Sequence, residues 1–429
     1  MNTASKVMSL LNTAIASLVS NISLFVRNPG KDFTRKGKLP FVEMIRMILS
    51  FGGGTLNSEL LDHFKYDPNV ATSSAFVQKR DKILPRAFRF LFHKFTDFLV
   101  TKMLDNYRVL ALDGSDVNTP QNPEDHTSFF KRKSDSKGYN LLHLNALYDL
   151  VNRLYVDYII QPKRESDENR ALVEMIDRSD IKGRVIVTAD RGYESYNNIA
   201  HIAEKGWKFL IRVKIGGKGI FSTLGLPDGP VDIDVNIQLT RSRDKAKANP
   251  ALKYLADNVV FDYLEPGSED VYSLSFRAVK FQLPNGEFEA VVTNLNRDEF
   301  PPKRIMELYH MRWGIETSFR DLKHTIGLAF PHSKKPDSIE QEVAARLTLY
   351  NFCEAIVTDA IIEQKETRYV YEIDFSTAVK LCRKFLRDIV ESSVVDVLIR
   401  RYLHPVKDGR SFPRTTSSTK WTNFWYRIS

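Results

Sequence analysis

Five short apolar runs between residues 108 and 213 constrain the fold more than any other feature of this chain. Val109-Leu110-Ala111-Leu112 stops at Asp113-Gly114-Ser115, and residues 184–189 stop at Asp190-Arg191-Gly192. Residues 141–147 and 154–160 are joined around Asp149 to Arg153, and 207–213 closes the series. Each run is too short for a helix and is bounded by turn residues. Each therefore reads as a strand, with Asp113 and Asp190 as strand-end residues. Helical periodicity fills 165–178 and 195–205 between them. The order three strands, helix, strand, helix, strand predicts an α/β unit that opens with an antiparallel meander and continues through crossovers.

Different textures flank this unit. Residues 1–105 read as helical, beginning with an amphipathic repeat of Val7, Leu11, Ala14, Leu18, Ile22 and Phe25. Alternating segments punctuated by glycine and proline over 216–296 predict an all-β insertion, and helices are expected over 302–327 and 338–400. The expected organisation is a helical, DNA-binding region at 1–105 and a catalytic core built from 106–215 and 297–335. The insertion occupies 216–296, and a helical region at 336–429 ends in a basic tail bearing Phe412, Trp421, Phe424, Trp425 and Tyr426.

The net charge of +9 is unevenly spread. Residues 1–105 hold 15 Lys/Arg against 8 Asp/Glu, 106–330 hold 31 against 32, and 331–429 hold 16 against 13. Basic ends around a neutral middle suit a polyanion that is gripped at the ends and processed between them. Lys79, Lys82, Arg86, Arg89 and His93 step by three and four, a candidate DNA-facing stripe. Two cysteines exclude a disulfide scaffold and a four-cysteine zinc site. No apolar run approaches the ~18 residues of a membrane span, and a cytoplasmic protein is expected.

Read as one helix, 302–327 buries a stripe of Leu308, Met311, Ile315, Phe319, Leu322 and Ile326. Tyr309, Arg312, Glu316 and Lys323 then fall in a wedge of roughly 60° beside that stripe. At such a border a carboxylate is held by packing and still faces a cleft. Arg312 and Glu316 alone would be an ordinary i,i+4 ion pair. The four fixed positions Tyr-x-x-Arg-x-x-x-Glu-x-x-x-x-x-x-Lys would arise by chance in roughly one in a few hundred chains of this length.

With this signature the chain resembles the DDE transposases of bacterial insertion sequences, in the subgroup marked by Tyr-Arg-Glu-Lys. Leu112-Asp113-Gly114-Ser115 resembles the block that carries the first catalytic Asp of that family, and Thr188-Ala189-Asp190-Arg191-Gly192-Tyr193 the block that carries the second. The resemblance implies an RNase H-like core in which Asp113, Asp190 and Glu316 converge as catalytic and metal-holding residues. It implies that Tyr309, Arg312 and Lys323 hold DNA phosphates near the scissile bond. Arg191, and the basic-aromatic segment Phe129-Phe130-Lys131-Arg132-Lys133, are further candidate DNA contacts.

Three carboxylates in a dry cleft repel one another unless a cation neutralises them. Oxygen-only donors select Mg²⁺, with Mn²⁺ as a substitute, and a pair of ions is expected. The implied activity is cleavage at transposon ends and transfer of 3′-hydroxyl ends into target DNA. The implied partners are double-stranded DNA, as terminal inverted repeats and as target, and a second copy of the chain in a synaptic homodimer. A structure-selective nuclease without strand transfer and a degenerate transposase acting as a DNA-binding protein stay open as alternatives. Relatives that use a hairpin step stack a flipped base on a Trp of the insertion. No Trp lies in 216–296 here, which leaves Phe276, Phe281 and Phe288 as candidates.

Overall fold

The computed structural model describes residues 2–100, 102–131, 138–217, 219–360 and 369–406. The chain opens with helices α1 (Thr3–Ser20), α2 (Phe41–Ser50), α3 (Leu56–His63), α4 (Ser73–Arg80) and α5 (Arg86–Asp97). Helix α1 buries the expected Val7, Leu11, Ala14 and Leu18. The Asn2 side chain caps it by accepting from the Ser5 amide at 2.9 Å. Among the described residues no helix is long and apolar enough to cross a membrane.

The strand series follows in the expected order. It runs β1 (Arg108–Thr119), the short β2 (Phe129–Phe130), β3 (Tyr139–Asp149) and β4 (Leu154–Pro162), then α6 (Glu168–Asp177), β5 (Val185–Ala189), α7 (Tyr196–Glu204) and β6 (Lys208–Val213). β3 lies antiparallel between β1 and β4, while β1, β5 and β6 run parallel. The crossovers are α6 and α7, which bury Ala171, Leu172, Met175 and Ile176, and Ile199, Ala200 and Ile202, in one apolar cluster with the sheet. β5 is buried along its whole length, as a central parallel strand covered on both faces must be.

Residues 216–296 depart from the expected all-β insertion. They form β7 (Val231–Thr240), a short helix α8 (Arg243–Ala248), β8 (Leu252–Tyr254), β9 (Val271–Gln282) and β10 (Phe288–Thr293). β10 pairs with β6, β9 with β10, and β7 with β9, so the segment extends the central sheet instead of building its own. The reason lies in β10, where Ala290, Val291 and Val292 are all buried. A strand that is apolar on both faces belongs inside a covered sheet.

After α9 (Pro302–His310) and α10 (Trp313–Arg320) comes α11 (Pro336–Thr358), buried on nearly every side. It packs against α1, α2, α5, β4 and α12 (Phe375–Leu386), and α13 (Ser392–Arg401) lies against α1 and α12. The expected N- and C-terminal helical regions therefore share one core with a face of the sheet. Polar residues of α11 stitch that core. Arg80 donates from Nη1 to Glu342 Oε1 and from Nε to Gln341 Oε1, each at 2.8 Å. Asn351 receives the Tyr155 amide at 2.9 Å and donates to its carbonyl at 2.8 Å. Removing one partner of a buried pair leaves an uncompensated charge, which costs about 3–5 kcal/mol. Arg80→Ala should lower the denaturant stability of the whole chain by that order, in a single transition. A separate early transition of the N-terminal helices would contradict the shared core.

The same docking uses up most of the basic stripe. Lys82 pairs with Asp32 at 3.2 Å, Arg89 with Glu340 at 3.2 Å, and His93 lies 3.6 Å from Asp157. Lys79 sits over the Phe33 ring, and Arg86 is exposed. Lys82, Arg89 and His93 thus serve contacts within the fold, with acids on elements that the sequence keeps far apart. The tail aromatics Phe412, Trp421, Phe424, Trp425 and Tyr426 lie outside the described residues.

Candidate active site

Strand register brings the first two acids together. The parallel pairing of β1 with β5 ends at Leu112↔Ala189. Asp113 and Asp190 are thus the next residues on neighbouring strands, which lie about 4.8 Å apart in a sheet. Asp190 is a strand end, as expected, and its carboxylate accepts from the Gly192 amide at 2.7 Å in the turn that follows. Asp113 is not. β1 continues to Thr119, because antiparallel β3 pairs with it as far as Thr119↔Asn140. Asp113 therefore projects from an intact strand, with Oδ1 accepting from the Gly114 amide at 2.8 Å.

The third acid arrives on a segment that differs from the single helix expected over 302–327. α9 and α10 are separated at Met311 and Arg312, where hydrogen bonds tighten to the i→i−3 pattern (Arg312 N to Tyr309 O at 3.0 Å, Ile315 N to Arg312 O at 3.1 Å). α10 then runs into a π-turn at Asp321–Thr325. One turn is wound tighter than an α-helix and the other looser, and Leu308, Ile315, Phe319, Leu322 and Ile326 all stay buried. The side chains beside that stripe do not all face a cleft. Glu316 and Lys323 are half-buried, whereas Tyr309 and Arg312 are buried at 2% and 4% exposure.

Arg312 links the helix to the strand. Its Nη2 donates to Glu316 Oε1 at 2.9 Å, and its Nη1 lies 3.9 Å from Asp113 Oδ2. Its guanidinium lies over the Tyr309 and Trp313 rings, 5.7 and 5.1 Å from their centroids. Lys323, in the π-turn, donates from Nζ to Ser115 Oγ at 2.6 Å. Burial lowers the pKa of its ammonium, and the charges of Asp116 and Asp113 work against that.

These groups are electrostatically coupled. Burial pushes the Asp113 carboxyl up to about 6, Asp190 and Glu316 push it the same way, and the Gly114 amide and Arg312 oppose them. Asp190 and Glu316 are near enough to Asp113 to resist its ionisation. Among the described residues, however, no three His, Cys, Asp or Glu side chains are gathered tightly enough to cage a metal ion. Arg312 supplies the positive charge between Asp113 and Glu316. Burial also raises the Tyr309 hydroxyl, against the pull of Arg312 and Arg212. Arg191 and Lys131 are exposed, and Arg132 and Lys133 lie outside the described residues.

Residues 105–352, more than half of the chain, match the family described as the transposase DDE domain. The chain belongs to the DDE transposase family. No curated protein sequence matches it. Among solved structures it is similar to a piggyBac transposase, from a cryo-EM structure of the synaptic complex with hairpin DNA. The two are 9% identical with a TM-score of 0.46, over 96% of this chain and 85% of that one.

Within this DDE transposase, two of the three insertion phenylalanines are unsuited to stacking a base. Phe276 and Phe281 are buried, while Phe288, at the start of β10, is exposed. Sequence reading passed over the exposed Trp313 beside Arg312. It also passed over Ser115, which faces the same side as Asp113 only because β3 holds that segment as strand. His143, Asp116, Glu168 and Lys163 form a further charged cluster behind Gly114. Nothing in the sequence joins these four.

Proposed function

We propose that this DDE transposase cuts DNA at the ends of its element and joins the 3′-hydroxyl ends to target DNA, as a homodimer on paired ends. The observation that carries the reading is the register that sets Asp113 and Asp190 on neighbouring strands, with Arg312 linking Asp113 to Glu316 and Lys323 reaching Ser115. The Tyr309, Arg312, Glu316 and Lys323 spacing supports the Tyr-Arg-Glu-Lys subgroup of insertion-sequence enzymes. The order β4-β3-β1-β5-β6, antiparallel then parallel, supports an RNase H-like core. The cytoplasm of a bacterium is the setting this reading implies.

The donor chemistry fits divalent cations. The three acids offer only oxygen, as Mg²⁺ and Mn²⁺ prefer, and positive charge relieves the resistance of Asp113 to ionisation beside Asp190 and Glu316. Asp113, Asp190 and Glu316 would hold the ions, a pair in this reading, which when bound activate the attacking oxygen and stabilise the leaving one. The chain's own cations do the rest. Arg312, buried over the Tyr309 and Trp313 rings and paired with Glu316, supplies a fixed positive charge beside the acids, in place of the phosphate contact the resemblance implies. Lys323 brings a point charge beside Ser115, and Arg191 and Lys131 extend the contact along the backbone.

A pre-cut end with a free 3′-hydroxyl, offered with a target plasmid and Mg²⁺, tests the reading. Joined product is expected. Hydrolysis alone would favour a nuclease, and binding without cleavage under any divalent ion a DNA-binding protein. Lys323→Ala should also reduce the slope of log affinity against log salt by about one, the signature of a lost phosphate contact. A slope equal to that of the unsubstituted protein would remove Lys323 from the DNA.

A further inference from the structure

We propose that His143 is a positioning residue for Asp113, acting through Gly114; this rests on the reading of Asp113 as catalytic. His143 stands on β3 directly across from Asp116 of β1, and it is buried at 3% exposure. Its Nδ1 lies 2.6 Å from Asp116 Oδ1, and its Nε2 lies 2.8 Å from Glu168 Oε1 at the start of α6. Lys163, just after β4, reaches Asp116 Oδ1 at 2.8 Å. One buried ring therefore ties β1, β3 and α6 together at the point where β1 passes the site.

The ring occupies the space that a side chain at position 114 would need. A Cβ on Gly114 would lie 2.4 Å from His143 Nε2, 2.9 Å from Cε1 and 3.1 Å from Glu168 Oε1. Gly114 is not among the positive-φ glycines, so the close approach of the imidazole, not backbone conformation, is what requires glycine here. Successive strand residues face opposite sides. A ring wedged behind Gly114 thus sets the backbone from which Asp113 projects toward Arg312 and Glu316. The Gly114 amide is itself the donor to Asp113 Oδ1, and the next residue, Ser115, receives Lys323. Loosening the ring shifts both contacts at once.

The test is a double-mutant cycle on the full-length protein with His143→Ala, Gly114→Ala and the pair together. A displacement of about 1 Å at a reacting group costs on the order of 10²-fold. Each single variant should lose about that much cleavage kcat, while KM for DNA stays within about threefold. In the pair, the methyl added by Gly114→Ala takes the space that the ring vacates, so the loss should be no greater than that of the worse single variant. Losses that multiply would overturn the contact.

A second readout needs neither DNA nor cation. Amide hydrogen exchange over 108–119 should rise about tenfold in His143→Ala, while exchange over 271–282 stays unchanged. Equal exchange over 108–119 would overturn the proposal. If His143→Ala does not fold, His143→Gln is expected to give smaller changes in the same directions, and their absence counts equally against it. Should Asp113→Asn leave cleavage intact, the catalytic reading falls, and hydrogen exchange still decides whether His143 holds the strand.

Discussion

Replacing Asp113 with Asn, Asp190 with Asn, or Glu316 with Gln is expected to slow strand cleavage on the order of 10³-fold, the loss typical of removing one group that stabilises charge in a transition state. DNA affinity should change less than about threefold, because the phosphate contacts are assigned to Lys323, Arg191 and Lys131. The amides keep the shape of the acids and remove only the charge, so packing around α10 and β1 is preserved. The measurement pairs cleavage of labelled end-bearing DNA in Mg²⁺ with binding to the same duplex in its absence. Any variant that cuts within about tenfold of the unsubstituted protein removes that residue from the site. The three losses should not multiply when combined, because the acids act as one unit.

Much of the frame that brings these acids together was legible in the sequence, because local patterning dictated it. The apolar runs before Asp113 and Asp190 are bounded by polar turn residues, and their alternation with helical stretches gave the strand order that the sheet adopts. What stayed hidden was set by long-range pairing. Asp113-Gly114-Ser115-Asp116 reads as a turn, yet β3 supplies a ladder through Thr119 and holds it as strand. The polar residues there then alternate between two faces, Asp113 and Ser115 toward α10 and the π-turn, Asp116 toward Lys163.

The break at Met311–Arg312 was likewise hidden. No proline marks it, and Gly314, packed 3.1 Å from Leu150 Cδ2 at its ideal Cβ position, is the sole local hint. The placement of Tyr309, Arg312, Glu316 and Lys323 on one wedge assumed an unbroken helix. Tight and loose turns instead bury two of the four and leave two at the border. The insertion misled for a similar reason. Alternation identified strands in 216–296, but only the pairing of β10 with β6 reveals that they belong to the main sheet.

Asp113→Asn should make the cation-free protein more stable at pH 7.5, the opposite of its effect on cleavage. Burial, with Asp190 and Glu316 adding to it, raises the folded-state carboxyl from 3.8 to about 6. The folded chain then holds this proton more tightly than the unfolded chain does. Stability from this group is therefore fully present below about pH 4, falls as pH rises through about 6, and stays low above that. The rise from 3.8 to about 6 corresponds to at most about 3 kcal/mol. Asparagine carries no charge at any of these pH values and removes the slope, although Arg312 loses an acid neighbour and returns part of the gain. Excess Mg²⁺ should reverse the order. A bound ion stabilises by mass action, about 2.7 kcal/mol at a hundred times Kd, and the Asp113→Asn variant, short of one donor, gains less. Thermal melts between pH 4 and 8, with chelator and with Mg²⁺, read both effects. A variant that is less stable than the parent at pH 7.5 in chelator would sink the argument, and so would an equal gain from Mg²⁺. The carboxyl would then be paid for by contacts within the fold, and the cluster would need no cation to settle it.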